Sequence, residues 1–221
     1  MWEINKEAEV QILELEGSKI YQIDNVFENP ETLFRWLFNR PTFPVQGDPW
    51  SRNLTHYYKA RYKDFHDEAA PIVTVAQHLC KQNVGFHGGF STNVESWLFS
   101  DYNTYKTHYW FPHIDNGYNC IVYFHDTNGT NLYNPKLKDE KWFQKLMKEV
   151  PKGKQPWIPK KNVELLHELK PAWNRMVLFD GNYFPHNTAV NDETFFSKNL
   201  RGSAREKRCN LCFFFYPETN D

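Results

Sequence analysis

The sequence predicts a mainly β fold, a sandwich or barrel, with supporting helices near the N-terminus. Three observations carry this. Residues 120–124, 131–133, 175–179 and 209–216 are short apolar or aromatic stretches separated by turn-like segments, the pattern of an all-β core. The first half carries two segments with helical spacing of apolar residues. Aromatic residues make up 17% of the chain, with 18 Phe, 12 Tyr and 8 Trp, enough to fill a barrel core or line a pocket. A length of 221 residues allows a sizeable core and fits one domain over 1–221.

The elements follow in order. Residues 10–15 alternate as a strand does, and 19–23 follow across Gly17-Ser18, which predicts a pair of short strands. Asn29-Pro30-Glu31 predicts a helix start, with Asn as cap, Pro in the first turn and an acid near the positive end. That helix carries Leu33, Phe34, Trp36, Leu37 and Phe38 and stops before Pro41. Residues 41–56, with Pro, Gly and Asp interspersed, predict a loop. A second helix covers about residues 70–81, with Ile72, Val73, Ala76 and Leu79 on one side. Residues 126–130, DTNGT, predict a hairpin turn between two strands of the β half. Residues 136–162 interrupt the β pattern as an insertion. Its first part predicts a short helix around Trp142, Phe143, Leu146 and Met147, and its second a basic, Pro-containing loop.

Charge and composition narrow the partners. The formal net charge is -1, so no global field draws the protein to nucleic acid or to an anionic membrane. A small-molecule or peptide substrate is expected rather than nucleic acid. No apolar run approaches bilayer length, and the charged N-terminus lacks a signal-peptide apolar segment. Four cysteines are too few and too irregularly spaced for a disulfide scaffold, so a cytoplasmic setting is expected. Oligomeric state is left open.

The chemistry centres on His113-Ile114-Asp115 in YWFPHIDNGYN. On a strand, alternate residues share a face, so both side chains can point to one metal. A third ligand must come from elsewhere. His186, in VLFDGNYFPHNTAV, follows an apolar strand and a turn and suits that role. Two imidazoles and a carboxylate make a facial triad that leaves coordination positions open for oxygen and a co-substrate.

These residues resemble the Fe(II)/2-oxoglutarate-dependent oxygenases. RMVLFDGN before His186, CIVYFHDTNGTNLYNP after the first pair, and IYQIDNVFENPETL near the N-terminus are similar to segments of the prolyl-hydroxylase-like branch. The resemblance covers roughly residues 19–216 and implies a double-stranded β-helix, or jelly roll. It implies His113, Asp115 and His186 as iron ligands, and hydroxylation of a substrate with release of succinate and CO2. The family's basic residue, about ten positions after the distal histidine in many members, is replaced here by Phe196. Arg201, Arg205 and Arg208 lie further on. Arg208 is favoured, because Arg208-Cys209-Asn210-Leu211-Cys212-Phe213 resembles the Arg-x-Asn-Leu-x-Phe motif of the nucleic-acid demethylase branch, whose Arg and Asn contact 2-oxoglutarate. Arg208 and Asn210 also share a strand face by alternation. A guanidinium suits a distal carboxylate through two parallel hydrogen bonds. Asn103 and Tyr105 resemble that branch's Asn-x-Tyr upstream of the first histidine, at a shorter spacing. Tyr105, Tyr109 and Phe111 share the parity of His113 if the strand runs unbroken through Pro112.

Weaker clusters compete. His87-Gly88-Gly89 reads as a loop or a tight turn, and His125-Asp126 is a minor metal candidate. Cys209 and Cys212 have zinc-like spacing but face opposite ways on a strand, with no second Cys pair. Lys152, Lys154, Lys160 and Lys161 read as a solvated basic loop. Two other functions fit the same scaffold: a cupin-like metal enzyme without a keto acid, and a non-enzymatic binding protein.

Overall fold

The computed structural model describes residues 1–40, 65–81, 104–149, 157–190 and 209–216, and for residues 43–44, 54–61 and 86–96 the backbone pairing. Strands β1 (Val10–Leu15) and β2 (Ser18–Ile23) form the expected antiparallel pair. The turn falls on Glu16-Gly17, both at positive φ (48° and 79°), the conformation whose twist matches a tight hairpin. Helix α1 (Pro30–Phe38) begins with Pro30 and Glu31 in its first turn and buries Leu33, Phe34 and Leu37. Asn29 sits at the cap position, yet its side chain makes no capping hydrogen bond, contrary to expectation. Helix α2 (Ala70–Cys80) ends at Lys81, which takes the left-handed conformation at φ 55°.

Two expectations fail in the next region. Strands β3 (Phe43–Pro44) and β4 (Leu54–Arg61) intrude on the loop expected over 41–56. Strand β5 (Phe86–Ser96) runs through His87-Gly88-Gly89, expected as a loop or turn. Its sequence, FHGGFSTNVES, lacks apolar alternation; pairing with neighbours on both sides makes it a strand, as tertiary context overrides weak propensity.

The remaining elements are α3 (Thr104–Thr107), β6 (His108–Trp110), β7 (Tyr118–Tyr123), β8 (Thr130–Tyr133), α4 (Lys141–Glu149), β9 (Trp157–Pro159), β10 (Leu165–Leu169), β11 (Arg175–Asp180), β12 (His186–Thr188) and β13 (Cys209–Phe215). One sheet has the order β1-β2-β11-β7-β13-β5-β4-β3, a second β10-β8-β12, and β6 pairs with β9. The architecture is mainly β, and every named strand pair is antiparallel. Among the described residues, no helix is long and apolar enough to cross a membrane.

The expected hairpin at 126–130 is not one. β7 and β8 lie in different sheets, so this turn carries the chain from one layer to the other. Gly129 lies so close to the second sheet that a Cβ there would meet the Leu169 carbonyl oxygen at 2.1 Å. Buried His125 pins the same corner, with Nδ1 2.9 Å from the Cys209 carbonyl and Nε2 3.4 Å from that of Asn128. It is thereby a structural histidine rather than a metal ligand. In the 136–162 insertion α4 forms as expected, while the second part holds strand β9 rather than loop alone.

Strand alternation divides the large sheet into two faces. Cys120 and Val122 of β7, Met176 and Leu178 of β11, and Leu211 and Phe213 of β13 pack under α1 and α2. Ile121, Tyr123, Val177 and Phe179 point the other way, against Leu132 and Leu169 of the second sheet. Cys209 lies in the first core and Cys212 against the second, so the two thiols do face opposite ways. Leu211 is fully buried on a central strand. Leu211→Ala is expected to cost about 2–5 kcal/mol, from lost transfer free energy and a residual cavity. Urea unfolding should show a lower midpoint at unchanged slope; an unaltered midpoint would mean that this core is not formed as described.

Candidate metal centre

The segment carrying the first two candidate ligands is not a continuous strand. β6 stops at Trp110, and Phe111 takes φ 41°, so the chain turns before Pro112. It regains extended pairing for one residue. His113 donates its backbone N–H to the His186 carbonyl (2.9 Å) and accepts from the His186 N–H (2.8 Å). The Asp115 N–H donates to the Gly181 carbonyl at 3.1 Å. The condition for shared parity, a strand unbroken through Pro112, is therefore not met. Parity does not run from Tyr105 to His113, because Tyr105 lies in the short helix α3 and the chain breaks at Phe111.

The approach to His186 is held by local chemistry. The Asp180 side chain accepts from the N–H groups of Asn182 (2.9 Å) and Tyr183 (3.1 Å), closing the turn after β11. β12 then pairs with β8, setting His186 opposite Leu132. A ligand pair distant in sequence is thus joined by main-chain hydrogen bonds.

One imidazole, one carboxylate and a second imidazole converge: ligand atoms of His113, Asp115 and His186 all lie within 4.8 Å of one another. His186 Nε2 is 3.2 Å from Asp115 Oδ2, and His113 Nε2 is 4.0 Å from Asp115 Oδ1. Both rings are oriented the same way. Nδ1 of His113 lies 2.9 Å from the Phe111 carbonyl, and Nδ1 of His186 2.9 Å from that of Phe184. A carbonyl only accepts, so each Nδ1 carries the proton and each Nε2 keeps its lone pair for the shared point. This is the support that metal-binding histidines characteristically receive. Phe111 stacks on His113 at 5.3 Å, and Phe179 meets His186 edge-on at 5.0 Å, limiting how either ring can swing.

The charges suit a divalent cation. Burial, and then His186 nearby, hold the His113 pKa below the ordinary histidine value, outweighing Asp115 and the Phe111 carbonyl, so this ring is neutral at physiological pH. For Asp115 burial alone raises the pKa, but the close contact with His186, the two histidines and the Asn119 amide together bring it well below the usual carboxylate range. The site offers one negative charge and inward-facing imidazole lone pairs, a donor set that fits Fe(II) and related ions.

The other expected residues divide. Asn210 is buried on β13, opposite Tyr123 of β7 and on the strand face that also presents Cys212 to the inner core. Tyr105 is buried in α3. Asn103, Arg201, Arg205 and Arg208, and with them Lys152 and Lys154, lie outside the described residues. Lys160 sits 5.1 Å from the centre of the Tyr109 ring, and Lys161 lies in a short 3-10 turn. Sequence reasoning missed Asn119. Its Nδ2 lies 2.7 Å from Asp115 Oδ2 and 2.9 Å from His186 Nε2. The available signal was a polar residue on an otherwise apolar strand, four places after Asp115.

Gly181 makes room for that side chain: a Cβ there would meet Asn119 Oδ1 at 2.7 Å. Gly181→Ala is expected to displace Asn119 and weaken divalent-metal binding about tenfold, the effect of disturbing a residue that supports ligands. Calorimetric titration with Co(II) checks this; unaltered affinity would show that Asn119 has slack to move.

No family model matches the chain, and no curated protein matches it in sequence. Among solved structures it is similar to a crystal structure of a Pseudomonas putida prolyl-4-hydroxylase, at 10% identity and a TM-score of 0.40, covering 90% of this chain and 93% of that one. What the fold and site define is a mainly β protein with a His-Asp-His cluster arranged as a metal could be held.

Proposed function

We propose that the chain is a single-domain Fe(II)- and 2-oxoglutarate-dependent dioxygenase on a double-stranded β-helix. It hydroxylates a small-molecule or peptide substrate and releases succinate and CO2. The observation carrying this reading is the matched orientation of two imidazoles, each tied through Nδ1 to a carbonyl two residues earlier, with both Nε2 atoms turned to one ionised carboxylate. The sequence resemblance supports it independently.

His113, Asp115 and His186 would hold the iron. Bound Fe(II) supplies positions for the keto acid and dioxygen, and the electron chemistry that side chains lack. The chain's own contribution is orientation and exclusion of water. Phe111 and Phe179 fix the two rings, and the inner core under Ile121, Tyr123 and Phe179 leaves a low-dielectric wall. Asn210 would help seat the keto acid from β13, with Arg208 pairing its far carboxylate and Asn103 and Tyr105 assisting.

The test is succinate formation from 2-oxoglutarate by purified protein, with and without Fe(II), against a mixed metabolite and peptide extract, with mass detection of oxygen-gain products. Iron-dependent succinate together with an oxygenated product is the expected result. Stoichiometric iron binding without any keto-acid binding or turnover would give the site to a cupin-like enzyme that uses no keto acid.

A further inference from the structure

We infer that Asn119 is a fourth protein ligand to the metal, binding through its carbonyl oxygen after the amide turns over. This rests on the metal-site reading above.

Asn119 is buried at 3% exposure, and its head group reaches two ligands at once. Nδ2, Asp115 Oδ2 and His186 Nε2 form a triangle with sides of 2.7, 2.9 and 3.2 Å. Neighbouring donor atoms on a six-coordinate ion with bonds of about 2.1 Å are about 3.0 Å apart. The amide therefore sits at the spacing of a further ligand to the same ion.

The Asn119 amide turns its Nδ2 toward both Asp115 Oδ2 and His186 Nε2. A cation takes over the lone pairs of those two atoms and leaves the N–H groups facing positive charge. Rotation about Cβ–Cγ exchanges the two amide atoms, which have nearly the same size. Little is lost on the other side. Oδ1 is buried, and among the described residues it has no hydrogen-bond partner. A buried carbonyl without a donor is costly, and binding a cation removes that cost. An asparagine that only steadied Asp115 would explain one of the two short contacts and neither the second nor the stranded oxygen.

The consequence is chemical. Four protein ligands leave about two positions on a six-coordinate ion, against about three for the triad alone. A bidentate co-substrate and dioxygen together need three, so Asn119 would have to leave before dioxygen could be accommodated beside the co-substrate.

Mn(II) titration of the full chain tests this, with free ion followed by electron paramagnetic resonance and bound water by proton relaxation. The wild type should hold about two inner-sphere waters. Asn119→Ala should hold about three and bind Mn(II) at least tenfold more weakly. Asn119→Asp keeps an oxygen in place and should match the wild-type water count. About three waters on the wild type would overturn the inference while leaving the metal site standing, and so would an Asn119→Asp protein that gains a water. If Asn119→Ala does not fold, the wild-type and Asn119→Asp counts decide. If the wild type binds no Mn(II), the triad reading itself fails and this inference goes with it.

Discussion

Purified His113→Ala protein is expected to lose tight divalent-metal binding and all iron-dependent keto-acid turnover while keeping its fold. The side chain contributes one of the converging Nε2 atoms and is 33% exposed, so its removal opens no deep cavity. The pairing with His186 is made by backbone N–H and carbonyl groups, which alanine retains. The loss of affinity should exceed the 10–100-fold typical of deleting a residue that merely supports a ligand. Asp115→Ala should be as severe, because it removes the cluster's only carboxylate and leaves two imidazoles without a negative partner. His186→Ala is the poorer probe: that ring is buried against Phe179, so a stability cost of about 2 kcal/mol or more accompanies the lost ligand. Anaerobic Fe(II) calorimetry, succinate yield and circular dichroism separate these effects. Unchanged succinate from folded His113→Ala or Asp115→Ala protein would end the iron assignment.

Arg208→Ala is expected to raise the apparent 2-oxoglutarate requirement about 10–100-fold with iron affinity unaltered. A charge-assisted hydrogen-bonded pair contributes about 1.5–3 kcal/mol, which converts to roughly that factor. Arg208→Lys should recover little, since a point charge replaces a planar fork. Asn210 is buried on β13 two residues after Arg208. Strand alternation puts Arg208 on the same inner face as that buried amide. Keto-acid titrations of Arg208→Ala and Arg205→Ala under saturating iron decide between them. A normal requirement in the first and a lost one in the second would transfer the anchor to Arg205; normal values in both would leave the keto acid without its proposed arginine.

The chain alone determined the elements whose signals are local. The turn before Lys19, the Pro30-Glu31 start of α1, the apolar spacing of α2 and the runs in β7, β11 and β13 are each written within about a dozen residues, and each appears close to its expected bounds. The identities of the two histidines and the aspartate were legible too, because few residue types can bind a metal in this arrangement. Only the tertiary structure decided what depends on partners far along the chain. β5 is a strand because β4 and β13 flank it, not because FHGGFSTNVES alternates. DTNGT reads as a hairpin locally but turns between layers, because β7 and β8 find their hydrogen bonds in different sheets. Phe111 breaks the strand that parity assumed, and His113 is aligned instead by a reciprocal pair of backbone bonds to a residue 73 positions later. Asn119 came into view only when Asp115 and His186 were brought together across it. The physical reason is common to all four: propensity and periodicity act between near neighbours, whereas register, layer crossing and ligand geometry are set by hydrogen bonds and packing between segments that meet only after the chain has folded.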